Sequence, residues 1–161
     1  MFHMEPMFLC NVKKCLKIFN EVYVSSDDKG ILHQAKKAGA IPISRGEDLC
    51  GDTPNIPVYQ HALWAMENPE FIVAVQANSP TIEPNIITTV KKIMDMGVSE
   101  VMTCDEDYKI YGSVWAIRTD KLEDYGDPYN PKPDVLVVDT SIDIHTQEDY
   151  DRCINNNNKS Q

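Results

Sequence analysis

The sequence lacks the features that mark secreted, membrane and nucleic-acid-binding proteins. No apolar run approaches the ~20 residues that a membrane helix needs, and the start shows no basic stretch followed by an apolar one, as a signal peptide would. The five cysteines form no C-x-x-C pair, which predicts reduced thiols in a cytosolic protein. Fifteen basic residues stand against twenty-five acidic ones, so the net charge of −10 argues against phosphate-backbone binding. We therefore expect a cytoplasmic protein with neither nucleic acid nor membrane among its partners.

Length and composition predict one domain with a polar tail. A chain of 161 residues with 42% apolar residues is long enough to bury a core, and it shows no internal repeat. The segment 155–161 is polar, with no side chain suited to packing. The prediction is a single domain over residues 1–154 and a disordered tail over 155–161.

The stretch from Phe71 to Val75 is apolar without alternation, which predicts a strand buried on both faces in the middle of a parallel sheet. The polar residues Gln76, Asn78 and Ser79 follow it directly. Ligands in open α/β sheets bind beyond the carboxyl ends of such strands, so this position predicts the active site. The alternative is a turn in which Asn and Ser satisfy local backbone groups, and the sequence leaves that open.

Helical and strand patterns alternate along the chain, which predicts a mostly parallel sheet with helices on both faces. A helix over 6–18 comes first, with Lys13, Lys14 and Lys17 on its outer face. Pro42 predicts an edge position for the strand Ile41–Ile43. Such sheets normally begin with a strand whose following loop holds phosphates, and neither is present.

Asp143 and His145 form the sharpest local motif. On an extended backbone, residues i and i+2 face the same side, so the carboxylate and the imidazole point together while Ile144 turns to the core. This pair suits a divalent metal. A capping aspartate with a surface histidine is the alternative reading of the same spacing.

Arg45 is an isolated cation among acidic residues. It suits bidentate binding of a phosphate or a base edge, although a surface ion pair is the commoner role for such a residue. No Ser-His-Asp, H-E-x-x-H or G-x-x-x-x-G-K-[ST] spacing occurs, so no catalytic residue is assigned.

Six segments match one family in the right order and cover most of the chain. They are Glu5-Pro-Met-Phe8 (G-K-P-[LM]), Val22-Tyr-Val-Ser-Ser-Asp27 (V-x-V-S-T-D), residues 39–52 (G-A-x-x-x-x-R-P-x-E-L-x-x-D, with Gly46 in place of the proline), Gln76-Ala-Asn-Ser-Pro80 (Q-P-T-S-P), Ser113-Val-Trp-Ala-Ile117 (G-A-I-Y-I), and residues 141–150 (S-I-D-I-D-T-x-x-D). Together they resemble the cytidylyltransferases that activate acylneuraminate and related acidic sugars.

The resemblance implies a three-layer αβα fold of the nucleotide-diphosphosugar-transferase type, Rossmann-like and lacking its usual first strand. It implies CTP and Mg²⁺, transfer of CMP to an acidic sugar, and release of pyrophosphate. Carried over by position, the metal ligands are Asp143 and His145, with His145 where the family has a second aspartate. The sugar-facing residues are Gln76, Asn78 and Ser79, and the cytosine lies near Arg45, Pro54 and Asn55.

Two departures from the family qualify these expectations. Nothing matches its phosphate-gripping G-x-x-S-K-R-x-P-x-K-N loop, so the chain is expected to be an N-terminally truncated member with impaired activity. The segment between Cys104 and Ser113 is short, although it contributes sugar contacts and a dimer surface in the family; a homodimer remains allowed. The alternatives are a catalytically inactive nucleotide-sugar-binding or scaffold module and a cytidylyltransferase for small polyol phosphates.

Overall fold

A computed structural model describes residues 4–159, with side chains described as far as Asn156; residues 1–3 and 160–161 lie outside the described part. The elements in chain order are α1 Met7–Leu16, β1 Tyr23–Ser26, α2 Lys29–Ala38, β2 Ile41–Ser44, a 3₁₀ turn Glu47–Leu49, α3 Asn55–Leu63, β3 Phe71–Val75, α4 Pro84–Asp95, β4 Glu100–Cys104, β5 Ile110–Arg118, α5 Thr119–Glu123, β6 Val135–Val138 and α6 Gln147–Lys159.

The strands form two separate sheets in the described residues. β1 and β2 pair in parallel, while the other four strands run in the order β3-β5-β4-β6. β5 is antiparallel to both of its neighbours, and β4 and β6 are parallel. With helices packed on the sheets, this confirms the predicted α/β fold. β2 has one strand neighbour, so the predicted edge position of Pro42 is also confirmed.

We call β1, β2, α1 and α2 the two-stranded half, and β3–β6 with α3, α4 and α5 the four-stranded half. The core of the four-stranded half lies on both faces of its sheet. On one face, Ile87, Val90 and Met94 of α4 are fully buried against Val101 and Val114. On the other, a second cluster forms around Trp115, Ile117 and Leu122. Helices on both faces make this half three-layered.

β3 is an edge strand, so the prediction that Phe71–Val75 lies in the middle of the sheet is wrong. Only Ile72 of this strand is buried, and the others are half-buried. The apolar run arises because both faces of β3 are covered: Phe71, Val73 and Val75 pack on the cluster around α4, and Ile72 belongs to the cluster around Trp115. Such a run reports two apolar faces but not whether a strand lies along each edge.

Helix α6 continues through the segment for which an unpacked tail is predicted. Its first turn is capped by Thr146 and Asp149, and the helix runs to Lys159. Once the first turn has formed, each further residue adds a backbone hydrogen bond, so a polar sequence can extend the helix. Within residues 4–159, no helix is both long and apolar enough to cross a membrane.

Candidate functional site

Four of the predicted site residues lie together, where the segment after β3 meets the segment before α6. The Ser79 hydroxyl donates to Asp143 Oδ1, and the Asn78 amide nitrogen lies 3.3 Å from His145 Nε2. The Ile144 N–H donates to the Asn78 carbonyl at 2.8 Å and joins the two backbones. The structure thus brings Asn78, Ser79, Asp143 and His145 into one cluster.

Asp143 and His145 point to the same side, as their spacing predicts, with 3.7 Å between Oδ2 and Nε2. The imidazole is 69% exposed and the carboxylate 30% exposed, so both can reach a ligand. Asp143 does not cap α6. That helix is capped by a reciprocal pair: the Thr146 hydroxyl accepts from the Asp149 N–H, and Asp149 Oδ2 accepts from the backbone N–H groups of His145 and Thr146.

The Asp149 cap holds the start of α6 in position beside the cluster. The Thr146 hydroxyl and the His145 N–H, both donating to Asp149, lower the pKa of its carboxyl below the usual range. An ionised Asp149 suits the positive end of the α6 dipole. The backbone of His145 is therefore held in place, and its exposed side chain lies beside Asn78 and Asp143.

Gln76 points away from the cluster. Its backbone N–H donates to the Ser113 carbonyl at 2.9 Å, and its side-chain Nε2 donates to the Tyr59 hydroxyl at 3.0 Å. Burial raises the pKa of Tyr59, so its hydroxyl stays protonated. The side chain of Gln76 is thus held against α3.

Arg45, Pro54 and Asn55 stand apart from the cluster. Arg45 follows β2, and its backbone N–H donates to the Ser26 carbonyl at 3.2 Å. Its Nε is buried with no hydrogen-bond partner among the described residues, and no ion pair of Arg45 is found there. Pro54 precedes α3, and Asn55 is exposed at its first position. No hydrogen bond within the described chain links these three residues to Asp143 or Ser79.

Asp139 anchors the segment that carries Asp143. It is 4% exposed, and its Oδ2 accepts from the hydroxyls of Tyr111 (2.6 Å), Ser113 (2.6 Å) and Ser141 (2.5 Å). Burial alone would raise the pKa of Asp139, but these donors outweigh it and lower the pKa. Its position directly after β6 is the sequence signal. Ser141 is two residues away along the chain, whereas Tyr111 and Ser113 belong to β5, which only the fold brings near.

Two residues of α1 donate hydrogen bonds to the loop after β3. Asn11 is buried and donates through Nδ2 to the carbonyls of Gln76 (2.8 Å) and Ser79 (2.9 Å). Lys14 is half-buried rather than on the outer face, because its ammonium donates to the carbonyls of Pro80 (2.6 Å) and Ile82 (2.8 Å). Burial lowers the pKa of Lys14. No motif indicated either residue, since both sit in an ordinary helical pattern.

An acidic cavity of about 510 Å³ opens beside Asp143. Its wall includes Asp105, Glu106 and Asp139 together with one cation, Arg152. In the described residues, no group of three His, Cys, Asp or Glu side chains is placed to hold a metal ion. Any cation here would therefore need ligands from a bound substrate or water in addition to Asp143 and His145.

Comparison with known proteins finds similarity at the level of structure. No family model and no curated protein matches the sequence. The chain is similar to the synthetase of CMP:2-keto-3-deoxy-manno-octonic acid complexed with CTP, at a TM-score of 0.78 and 14% identity over 100% of this chain and 91% of that one.

Two further solved structures show the same likeness. The 4-diphosphocytidyl-2C-methyl-D-erythritol synthase of Anaerococcus prevotii matches at a TM-score of 0.68 and 14% identity, over 100% of this chain and 88% of that one. The manganese complex of Rv0371c from Mycobacterium tuberculosis matches at 0.68 and 11% identity, over 96% of this chain and 89% of that one. At these identities the comparison shows a common fold, that of the nucleotide-diphosphosugar transferases.

Proposed function

We propose that this chain is a cytidylyltransferase-type nucleotidyltransferase whose substrates are CTP and an acidic, acylneuraminate-like sugar. The cluster of Asn78, Ser79, Asp143 and His145 carries the proposal, because it places a carboxylate, an imidazole and two neutral hydrogen-bonding groups at the carboxyl end of β3. Ligands of α/β sheets bind at this kind of edge. The similar structures include one bound to CTP and one bound to manganese.

In the proposed reaction, a sugar hydroxyl oxygen attacks the α-phosphorus of CTP. The bond from the α-phosphorus to the bridging oxygen breaks, pyrophosphate leaves, the hydroxyl proton passes to solvent, and CMP stays on the sugar. Asn78 and Ser79 would hydrogen-bond the sugar, since neutral donors and acceptors suit hydroxyl and amide groups. The proposed nucleotide contacts are Arg45, Pro54 and Asn55. Gln76 is a further proposed sugar contact.

The donors present fit a divalent cation held partly by substrate. Asp143 supplies one carboxylate and His145 one imidazole nitrogen, 3.7 Å apart. Mg²⁺ is commonly bound through one or two carboxylates with phosphates and water, whereas imidazole suits softer metals. When bound, such a cation would neutralise charge on the phosphates. We expect Mn²⁺ to be held more tightly than Mg²⁺.

The alternative is an inactive nucleotide-sugar-binding or scaffold module of the same fold. Two observations favour it: the described residues contain no three-ligand metal group, and the ammonium of Lys14 donates to carbonyl groups of the loop after β3. Binding without chemistry needs fewer charged groups than phosphoryl transfer. A homodimer, as in the resembled family, is the assembly to test for both functions.

Pyrophosphate release separates the two functions. The protein is incubated with CTP, Mg²⁺ or Mn²⁺, and either an acylneuraminate or a polyol phosphate, while calorimetry measures CTP binding. Binding with release supports the enzyme, and binding without release supports the module. Absence of CTP binding with either metal would contradict the enzyme.

The metal assignment is tested by Asp143→Asn, with Asp95→Asn as the control because Asp95 is exposed and pairs with Lys91 on α4. We expect Asp143→Asn to weaken metal-dependent CTP binding at least about tenfold and the control to leave it unchanged. Equal CTP binding by both variants would mean that Asp143 does not hold the metal. His145→Asp should shift the preference toward Mg²⁺, because carboxylate suits it better.

A further inference from the structure

The ammonium group of Lys14 lies among three oxygen atoms of the protein. It donates to the carbonyls of Pro80 at 2.6 Å and Ile82 at 2.8 Å, and to Asn11 Oδ1 at 3.2 Å. An ammonium has three N–H donors and no acceptor, so the three oxygens match all of its donors. Two of these oxygens belong to the loop after β3, which spans residues 76–82.

Asn11 binds the same loop from the same face of α1. It lies three residues before Lys14, and positions i and i+3 of a helix are neighbours. Its Nδ2 donates to the carbonyls of Gln76 at 2.8 Å and Ser79 at 2.9 Å. Two side chains of α1 thus bind four carbonyl groups of one loop. Backbone carbonyls directed at one place favour a cation there, and the ammonium of Lys14 supplies it.

The loop after β3 in turn holds the backbone on both sides of Asp143. The Ile142 N–H donates to the Thr81 hydroxyl at 3.0 Å. The Ile144 N–H donates to the Asn78 carbonyl at 2.8 Å. Because residues 142 and 144 are the chain neighbours of Asp143, these two hydrogen bonds fix where its carboxylate begins.

Thr81 connects the two sets of contacts. It lies between Pro80 and Ile82, whose carbonyls both accept from Lys14, and its own hydroxyl accepts from Ile142. The ammonium therefore fixes the backbone on either side of the residue that holds Ile142. The path from α1 to the candidate metal residues thus consists of consecutive hydrogen bonds.

Lys14 differs from an ordinary surface lysine of the same helix. Lys13 is exposed and pairs with Glu5. Lys14 is half-buried, which lowers its pKa, and the carboxylates of Glu83 and Asp139 act in the opposite direction. Half-burying an ammonium costs free energy that an apolar side chain at this position would avoid. A role in ordering the loop accounts for a charge at this place.

We propose that Lys14 is a positioning residue of the candidate site, whose ammonium orders the carbonyls of Pro80 and Ile82 and, through Thr81, sets the position of the segment that carries Asp143. Lys14 acts through the loop and needs no contact with a ligand. The consequence for metal binding rests on the proposed function. The positioning itself does not, because it is measured without metal or nucleotide.

Hydrogen exchange of the free protein tests the positioning. Lys14→Met keeps an unbranched side chain of good helix propensity and removes the three donors. We expect the Ile142 and Ile144 amides to exchange at least about tenfold faster, because hydrogen bonds from a charged group to the loop are lost. The amide of buried Val114 should accelerate less, and Lys13→Met should change none of the three.

Two outcomes of this experiment would overturn the proposal. Equal acceleration of the amides of Ile142, Ile144 and Val114 would mean that Lys14 contributes only to overall stability. Unchanged exchange of Ile142 would mean that the loop holds this segment without Lys14.

A double-mutant cycle tests whether Lys14 acts through Thr81. Thr81→Val removes the hydroxyl that binds Ile142 but leaves the carbonyls that bind Lys14. In this background, Lys14→Met should accelerate exchange of Ile142 by less than about twofold, since coupled residues are not additive. Full additivity of the two substitutions would overturn the proposed path.

Chemical rescue tests the role of the charge. Lys14→Ala removes the atoms from Cγ to Nζ, and n-propylammonium supplies the same group as a free cation. We expect it to slow exchange of Ile142 in this variant at least about threefold, while uncharged 1-propanol has no effect. For a Lys14 variant that does not fold alone, the folded fraction with each additive, measured by circular dichroism, is the same test. Equal effects of both additives, or none from propylammonium, would overturn the proposal.

Manganese binding separates this inference from the proposed function. In the presence of CTP, we expect Lys14→Met to weaken Mn²⁺ binding about tenfold, measured by electron paramagnetic resonance, and Lys13→Met to leave it unchanged. If the wild type binds no Mn²⁺, the proposed function fails, while the exchange rates still decide the role of Lys14. Faster exchange with unchanged Mn²⁺ affinity would overturn the link from Lys14 to the metal residues.

Discussion

The two halves of the molecule bury their strands to different degrees. In the four-stranded half, every residue of β4 is buried, and helices cover both faces of the sheet. In the two-stranded half, the buried cluster contains only Val12, Ala35 and Ala40 among the described residues, and one edge of β1 borders a cavity. Strands with a neighbour along each edge, β4 and β5, occur only in the four-stranded half of the described chain.

This contrast affects the candidate site. The clustered residues follow strands of the four-stranded half: Asn78 and Ser79 come after β3, and Asp143 and His145 come after β6. Arg45, in contrast, follows β2 of the two-stranded half. The proposed metal and sugar residues thus belong to the four-stranded half, whereas Arg45, a proposed cytosine contact, belongs to the two-stranded half.

Removal of a core side chain gives the largest expected difference between the halves. Ile117 of β5 is fully buried, so Ile117→Ala should lower the free energy of unfolding by about 2–5 kcal/mol. Ile41 of β2 is 41% exposed, so Ile41→Ala should cost about 1 kcal/mol. Urea unfolding measures both, and equal costs would contradict the contrast.

The substitution Asp139→Asn tests whether Asp139 holds the segment that carries Asp143. Asp139→Asn weakens three hydroxyl hydrogen bonds to a carboxylate, and we expect a loss of about 1.5–3 kcal/mol at about pH 7. The folded-state pKa lies below the unfolded value, so the carboxylate stabilises the fold above the unfolded pKa of about 3.9 and loses this effect as the pH falls through the folded pKa.

The difference in unfolding free energy between wild type and Asp139→Asn should therefore shrink below about pH 4. Asp107→Asn is the control, because Asp107 is an exposed carboxylate near the same strand ends. A difference that stays constant with pH would mean that Asp139 is not ionised in the folded protein.

The substitution Asn11→Ala tests whether α1 of the two-stranded half holds the loop after β3 of the four-stranded half. Asn11→Ala removes two buried hydrogen bonds from α1 to the loop after β3, at an expected cost of about 1–2 kcal/mol. Hydrogen exchange of the Ser79 and Ile82 amides, which close this loop, should accelerate. Asn20→Ala, at an exposed position, is the control. Unchanged exchange would show that the loop is held without α1.

The smallest expected effect lies at the start of α6. Thr146→Ala removes the hydroxyl that bonds to Asp149 and should cost about 1 kcal/mol. In Thr88→Ala, the lost hydroxyl bonds within α4, so stability should be unchanged or slightly raised. Thermal unfolding compares the two. Equal melting temperatures would mean that the cap does not hold the His145 segment.

Much of the fold was predictable because its signals are local. Helix α4 begins at Pro84 and is followed by Gly97 at a positive φ, which are ordinary start and stop signals. The pairing of Asp143 with His145 followed from the two-residue period of an extended chain. In contrast, the position of β3 at a sheet edge and the burial of Lys14 depend on residues far along the chain, which no local period reports.

The sequence by itself determined the order of helices and strands, the carboxyl-end location of the polar residues after β3, and the shared orientation of Asp143 and His145. These depend on propensities and periods that act over a few neighbouring residues. Only the tertiary structure decided that Ser79 meets Asp143, that Asp139 accepts from the hydroxyls of Tyr111 and Ser113, and that β1 and β3 border one cavity. Strand pairing and burial are set by contacts between distant segments, and such contacts have no period in the sequence.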